Sequence, residues 1–190
     1  MTSAAATLVA QTSSVAETQD LAAALAVLAQ PGDLVVLAGD LGAGKTAFVQ
    51  GFGRGLGVTE AITSPTFTLA QQYEGRLVVH HLDVYRLDLL GEVAQLGLAE
   101  LLDDGGVVLI EWGDAILPVL PGDYLEVRLT YGEADDDRRV ALRTVGSEWA
   151  RRQVSLLEIL GPWAEAPTGS PADAPAGPAG PTDESGAGPC

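Results

Sequence analysis

The sequence predicts an α/β domain: a mixed sheet with a parallel core and antiparallel additions, and helices on both faces. Three observations carry the prediction. Two short, uninterrupted apolar runs, Leu34-Val35-Val36-Leu37-Ala38 and Val107-Val108-Leu109-Ile110, have the pattern of strands buried on both sides. Helix-patterned stretches alternate with such runs, which favours a parallel central sheet. Two late stretches, 124–131 and 138–145, bracket a polar turn and read as antiparallel strands added to that core.

Taken in order, residues 7–12 (TLVAQT) read as a short strand. Ser14 and Glu17 form an S-x-x-E capping box. It opens an alanine- and leucine-rich helix expected to end near Gln30, before Pro31-Gly32. The buried strand at 34–38 leads through a glycine-rich loop into a second helix, about 45–56. Strands at 67–72 and 77–85 flank Tyr73-Glu74-Gly75-Arg76, which reads as a hairpin turn. Residues 89–103 are helix-patterned, with a weak point at Gly97. After the strand that begins at Val107 and the late hairpin, a last helix at about 147–160 closes the core.

The expected domain is 1–160. Residues 161–190 hold seven of the 11 prolines, six of the 23 glycines, four acids and no base. Such a segment buries too little apolar surface to offset its ordering entropy, so it reads as a disordered acidic tail. Cys190 is the only cysteine, which leaves no intramolecular disulfide or cysteine zinc site and fits a cytoplasmic protein. The first residues lack the basic start of a secretory signal, and no run of eighteen apolar residues predicts a membrane span. Ten basic residues against 26 acidic ones give a formal charge of −16. Phosphate backbones repel such a chain, so it is a poor candidate for holding nucleic acid alone.

Gly39-Asp40-Leu41-Gly42-Ala43-Gly44-Lys45-Thr46 matches G-x-x-x-x-G-K-[ST]. The chain's own residue frequencies give about 0.002 chance matches to that pattern. Glycines let backbone N–H groups wrap a phosphate, and the helix that follows turns its positive end toward the anion. Lys45, the only lysine, would reach the β- and γ-phosphates, and the Thr46 hydroxyl would bind Mg²⁺. Guanine-specific switch proteins need a second lysine in an N-K-x-D segment, so ATP is favoured over GTP.

Ligands of open α/β sheets sit at the carboxyl ends of the strands. Glu111 follows the apolar run 107–110 and is a candidate metal-linked acid, or an acid that merely reaches solvent. Asp83, in Val79-His80-His81-Leu82-Asp83-Val84-Tyr85-Arg86, would share one strand face with His81 and Tyr85. It would ligate Mg²⁺, activate water, or lie on a solvated face. His80 and His81 point to opposite sides of a strand and make a poor metal pair. In nucleoside triphosphatases a threonine placed like Thr66, in Ser64-Pro65-Thr66-Phe67-Thr68, can sense the γ-phosphate; by composition the segment is only a loop entering a strand.

GDLGAGKT at 39–46, SPTFTL at 64–69, HLDVYRL at 81–87 and IEW at 110–112, in this order, resemble the TsaE (YjeE) family. These are bacterial P-loop ATPases of tRNA threonylcarbamoyladenosine biosynthesis. The resemblance covers about residues 10–150 and implies a P-loop NTPase-like fold. It implies that Lys45 and Thr46 bind triphosphate and Mg²⁺, that Glu111 is the metal-linked acid and Asp83 the second essential acid. It implies that Thr66 and Thr68 belong to a nucleotide-responsive loop and that Trp112 lies beside the nucleotide. The implied partner is the TsaB–TsaD pair, which would hold most of the tRNA and be reset by ATP hydrolysis here. Two other functions share the motifs. A small-molecule P-loop kinase usually needs an arginine lid, and Arg138, Arg139, Arg143, Arg151 and Arg152 cluster late without forming an obvious one. An ATP-gated assembly factor with negligible turnover needs no catalytic base or arginine finger, and the sequence singles out neither.

Overall fold

The strand Leu34–Ala38 is buried along its whole length and runs between two parallel neighbours, which makes it the axis of the molecule. The computed structural model describes residues 7–85 and 97–164. Its strands are β1 (Thr7–Thr12), β2 (Leu34–Ala38), β3 (Ala70–Tyr73), β4 (Val79–Asp83), β5 (Val107–Glu111), β6 (Tyr124–Tyr131) and β7 (Arg138–Val145). The helices are α1 (Val15–Leu25), α2 (Lys45–Gly55), α3 (Leu98–Asp103), α4 (Ser147–Arg151) and α5 (Gln153–Leu160). One sheet of seven strands has the order β1-β7-β6-β2-β5-β4-β3. Strands β6, β2, β5 and β4 are mutually parallel; β3 on one edge and β7 on the other side run against them, and β1, antiparallel to β7, runs in the direction of the core.

Period-two alternation sorts the central strands onto two apolar layers. Val35, Leu37, Val107 and Leu109 face α1, α2 and the C-terminal Trp149, Leu156 and Leu160. Leu34, Val36, Val108 and Ile110 face Leu98, Leu101 and Leu102 of α3 and the turn around Ile116. Helices therefore cover both faces, as the sequence predicts. The glycines of α2 bring it close to α1: a Cβ on Gly51 would lie 2.2 Å from the Gln19 carbonyl oxygen, and one on Gly55 2.4 Å from that of Ala23.

Several expected boundaries move, each for a local reason. The α1 cap is split between two serines: Ser14 Oγ accepts from the Glu17 N–H, but the Glu17 carboxylate accepts from Ser13 N, at 2.8 Å, not from Ser14. Strand β3 starts at Ala70, not 67. Thr68 and Leu69 instead turn back to bond the Pro65 carbonyl, and Leu69 takes a positive φ of 64°. Strand β4 spans 79–83, and Tyr85 lies in the turn beyond it. The helix expected over 89–103 is described only from Gly97 onward, and 86–96 lie outside the described residues. The single closing helix is two, broken at Arg152. Past residue 160 the chain makes a short turn, Gly161–Trp163, with Trp163 packed on the core and Ala164 bridged to Ala10. The rest of the expected tail, 165–190, lies outside the described residues. No described helix is long and apolar enough to cross a membrane.

Candidate functional site

The carboxyl end of β2 opens into the glycine-rich loop. Gly39, Gly42 and Gly44 have φ of 137°, 79° and 103°, which L side chains rarely adopt. A Cβ on Gly39 would also lie 2.2 Å from the Leu129 carbonyl oxygen. The loop thus turns tightly against β6 and delivers the chain into α2 at Lys45, with Gly44 as its N-cap. The first N–H groups of a helix have no intrahelical partner, so this end is an anion-binding feature. Lys45 is 5% exposed. Its Nζ donates to the carbonyls of Gly39 and Asp40, at 2.7 and 2.9 Å, and lies 3.5 Å from the centre of the Trp112 ring. Burial pushes the ammonium pKa down, and the carboxylates of Glu111, Asp114, Asp83 and Asp40 pull it partly back.

The acids arrive by strand register. Asp83 and Glu111 end adjacent parallel strands as direct partners. Counting by twos, both point to the α2 side with Val79 and Leu109. Thr46 Oγ1 donates to the Glu111 carboxylate, 2.8 Å from Oε1 and 3.1 Å from Oε2. His81 Nε2 lies 2.8 Å from Glu111 Oε1, and both side chains are buried. Facing a carboxylate, Nε2 is the donor of this contact, and His81 Nδ1 is buried without a hydrogen-bond partner among the described residues. Asp83 is engaged differently: Ser64 and Thr66 hydroxyls donate to Oδ2, at 3.0 and 2.9 Å, and the Tyr85 N–H donates to Oδ1, at 3.0 Å. Its hydrogen bonds run to the 64–66 loop and to Tyr85, not to Thr46.

Most of the sequence candidates therefore converge on one end of the sheet. Lys45, Thr46 and Glu111 form one group, Asp83, Ser64 and Thr66 a second beside it. Trp112 joins them through Lys45 and through Tyr85, whose ring centre is 4.8 Å away. Trp112 has a positive φ of 61°, a rare conformation for a bulky residue, directly after the site acid. Thr68 stands apart, its hydroxyl turned to the Pro65 carbonyl. His80 faces away from His81, its Nε2 buried without a partner near Gly106.

Three participants make contacts that the sequence did not assign. His81 needs the β4–β5 register to be seen against Glu111. Tyr131 and Arg138 are direct partners across the β6–β7 hairpin. The Tyr131 hydroxyl donates to the Leu41 carbonyl at 2.7 Å, and Arg138 Nε donates to that of Ala43 at 3.1 Å. A cleft of about 700 Å³ lies beside them, lined by Gln11, Thr12 and Ser13 on one wall and 131–133 and 137–139 on the other. Its location follows from β1 pairing with β7, which local patterning does not reveal.

Comparison with known proteins shows what the chain is similar to. The family model described as "Threonylcarbamoyl adenosine biosynthesis protein TsaE" matches residues 12–140. A Bacillus subtilis protein named "tRNA threonylcarbamoyladenosine biosynthesis protein TsaE" is 42% identical over 134 residues, covering 70% of this chain and 83% of its own. A Streptomyces coelicolor protein of the same name is 42% identical over 147 residues, covering 73% and 98%. The crystal structure of Bacillus subtilis YdiB superimposes with a TM-score of 0.69 at 36% identity, covering 85% of this chain and 98% of that one.

Proposed function

Because the chain belongs to the TsaE family of threonylcarbamoyl adenosine biosynthesis proteins, we propose that it binds and hydrolyses ATP to reset the TsaB–TsaD complex, in the cytoplasm, during modification of the adenosine beside the tRNA anticodon. The observation that carries the reading is the Thr46–Glu111 contact at the mouth of the glycine-rich loop, with Lys45 beside it and Asp83 on the neighbouring strand.

The residues fit the groups this reading requires. Loop N–H groups and Lys45 would hold the phosphates, with Asp40, Leu41, Gly42, Ala43 and Gly44 supplying the wrap. Thr46 and Glu111 offer two oxygen ligands for Mg²⁺. Among the described residues no three His, Cys, Asp or Glu side chains group as a metal cage. Mg²⁺ needs no such cage when phosphate oxygens and water complete its shell. Bound with ATP, Mg²⁺ would neutralise charge on the β- and γ-phosphates. His81 donates to Glu111 and fixes its carboxylate, the arrangement by which outer groups orient metal ligands.

Lys45 must leave the carbonyls of Gly39 and Asp40 to meet a phosphate. Asp83 holds the 64–66 loop while both hydroxyls bond Oδ2. Freed of them, Oδ2 can take a proton from an attacking water. The occupied carboxylate supports slow turnover by the isolated chain, raised when a partner draws the loop away. Phe67, 85% exposed on that loop, and Leu41, 81% exposed, offer apolar contact to such a partner.

Phosphate release under multiple turnover, with and without the TsaB–TsaD pair, tests the reading. Slow release from the chain alone, faster with the pair and without a phosphorylated acceptor, is expected. No ATP binding in any combination would overturn it; a phosphorylated small molecule would point to a kinase. Binding without turnover, even with the pair, would leave an ATP-gated assembly factor.

A further inference from the structure

We propose that Tyr131 and Arg138 are positioning residues that clasp the outer side of the glycine-rich loop and so aim its N–H groups at the phosphates. The proposal rests on the nucleotide-binding reading above and assigns the first of the late arginines.

Three successive loop carbonyls are held from the β6–β7 hairpin. Tyr131 Oη donates to Leu41 O at 2.7 Å, Arg138 Nη2 to Gly42 O at 3.3 Å, and Arg138 Nε to Ala43 O at 3.1 Å. In a trans peptide the C=O and N–H point in opposite directions. Fixing Leu41 O toward the hairpin therefore turns the Gly42 N–H away from it, and fixing Ala43 O does the same for Gly44. The intervening Ala43 N–H is used within the loop, bonded to Asp40 O at 3.1 Å. The clasp thus acts on two N–H groups, of Gly42 and Gly44, that take no partner within the loop among the described residues.

Arg138 is built for this task. Nη1 donates to the carbonyls of Asp135 and Asp137, both at 2.7 Å, and the guanidinium lies 4.6 Å from the centre of the Tyr131 ring. Four carbonyls therefore take donors from one planar fork, which a lysine cannot reproduce. Committed to backbone on both sides, the guanidinium is not poised as a finger toward a phosphate. Gly42 completes the fit, because a Cβ there would lie 2.7 Å from Tyr131 Oη.

Calorimetric titration of the full chain with ATP and with inorganic tripolyphosphate, each with Mg²⁺, tests the clasp. Tyr131→Phe removes one oxygen and one neutral hydrogen bond, and should weaken both probes about fivefold. Arg138→Met should weaken both by roughly 10- to 100-fold, with Arg138→Lys in between. Tm of Tyr131→Phe should stay near wild type, so the loss cannot be assigned to unfolding. Unchanged affinity for both probes in Tyr131→Phe and Arg138→Lys would overturn the proposal. So would a loss confined to ATP, which would make the two side chains contacts of the nucleoside. A wild-type chain that binds neither probe overturns the nucleotide reading itself, and the clasp with it.

Discussion

Lys45 shows the conflict between function and stability most directly. Its ammonium is buried against Trp112 and its own loop, and burial is the foremost cause of its lowered pKa. The unfolded chain therefore holds that proton more tightly than the folded one. Stability should rise as the pH climbs from the lowered pKa toward 10.5, and the full penalty is present below the lowered pKa. Lys45→Met is expected to leave the Tm of the nucleotide-free chain at pH 7 unchanged or higher while abolishing ATP binding. A Tm lower by several degrees would mean that the ammonium is structural. His80 makes an opposite-edge test. Burial lowers its pKa from 6.5, with partial compensation from Asp104, and its Nε2 is unpaired. The unfolded chain takes up the proton first as pH falls below 6.5, so folding weakens from there down to the lowered pKa. His80→Asn should flatten this part of the pH profile, read as the urea midpoint between pH 7 and 5; an unchanged slope would exclude His80 as its source. For Glu111→Gln, the Mg²⁺ concentration for half-maximal hydrolysis should rise about tenfold or more, with metal-free nucleotide affinity changed far less. Equal losses in both would mark a structural glutamate.

At the scale of elements, the closing helix shows what local patterning cannot reach. Residues 147–160 carry a continuous helical pattern, yet the chain breaks at Arg152. The guanidinium there stacks 3.9 Å from the centre of the Trp149 ring and grips both oxygens of Asp33, at 2.5 and 2.7 Å. That partner is 119 positions away, so no window of sequence contains the pair. Both side chains are nearly buried, at 10% and 7% exposure. Removing one leaves the other uncompensated, and Arg152→Ala should cost about 3–5 kcal/mol in urea unfolding. Asp33 precedes β2 at the end opposite the loop, so ATP affinity should change less than about twofold by calorimetry, within ordinary additivity for distant sites. A stability loss under about 1 kcal/mol would mean that the pair breaks even with water. The same limit sorts the rest of the fold. Buried runs announced β2 and β5 because both faces of a central strand must be apolar, and the polar turn at 132–137 fixed both strands of the late hairpin. The glycine–lysine loop was legible because its chemistry lies within eight consecutive residues. His81 beside Glu111, and Tyr131 with Arg138 on the loop, required strand neighbours that only the completed sheet defines. The 160 boundary was drawn from proline and glycine content, but Trp163 still packs on the core, because one aromatic ring can outweigh local composition.

At the scale of the whole molecule, charge decides which partner can be held. The −16 total falls to about −12 over residues 1–160 when the four acids of 161–190 are removed, and the arginines of the 138–152 stretch do not form an open basic patch. Arg143 pairs with Glu126, Arg151 with Glu148, Arg152 with Asp33, and Arg138 donates to backbone carbonyls, including those of the acidic turn at 135–137. Arg139 is also engaged. Elsewhere Arg54 faces Asp20 and Arg128 faces Asp114 and Glu126. A cation already paired at home releases few counterions from a phosphate backbone, and each phosphate contact adds about −0.7 to −0.9 to the log–log salt slope. The isolated chain should therefore bind tRNA weakly at physiological salt, with a slope shallower than about −2, equivalent to no more than two or three contacts. On the proposed function, ATP-dependent association with the TsaB–TsaD pair should be much tighter, and tRNA should be retained only through that pair. A tRNA titration at several salt concentrations, beside a pull-down with and without ATP, separates the cases. A slope steeper than about −4 from the isolated chain, without capture of the pair, would mean that an uncharted basic surface, and not a protein partner, brings this domain to its tRNA.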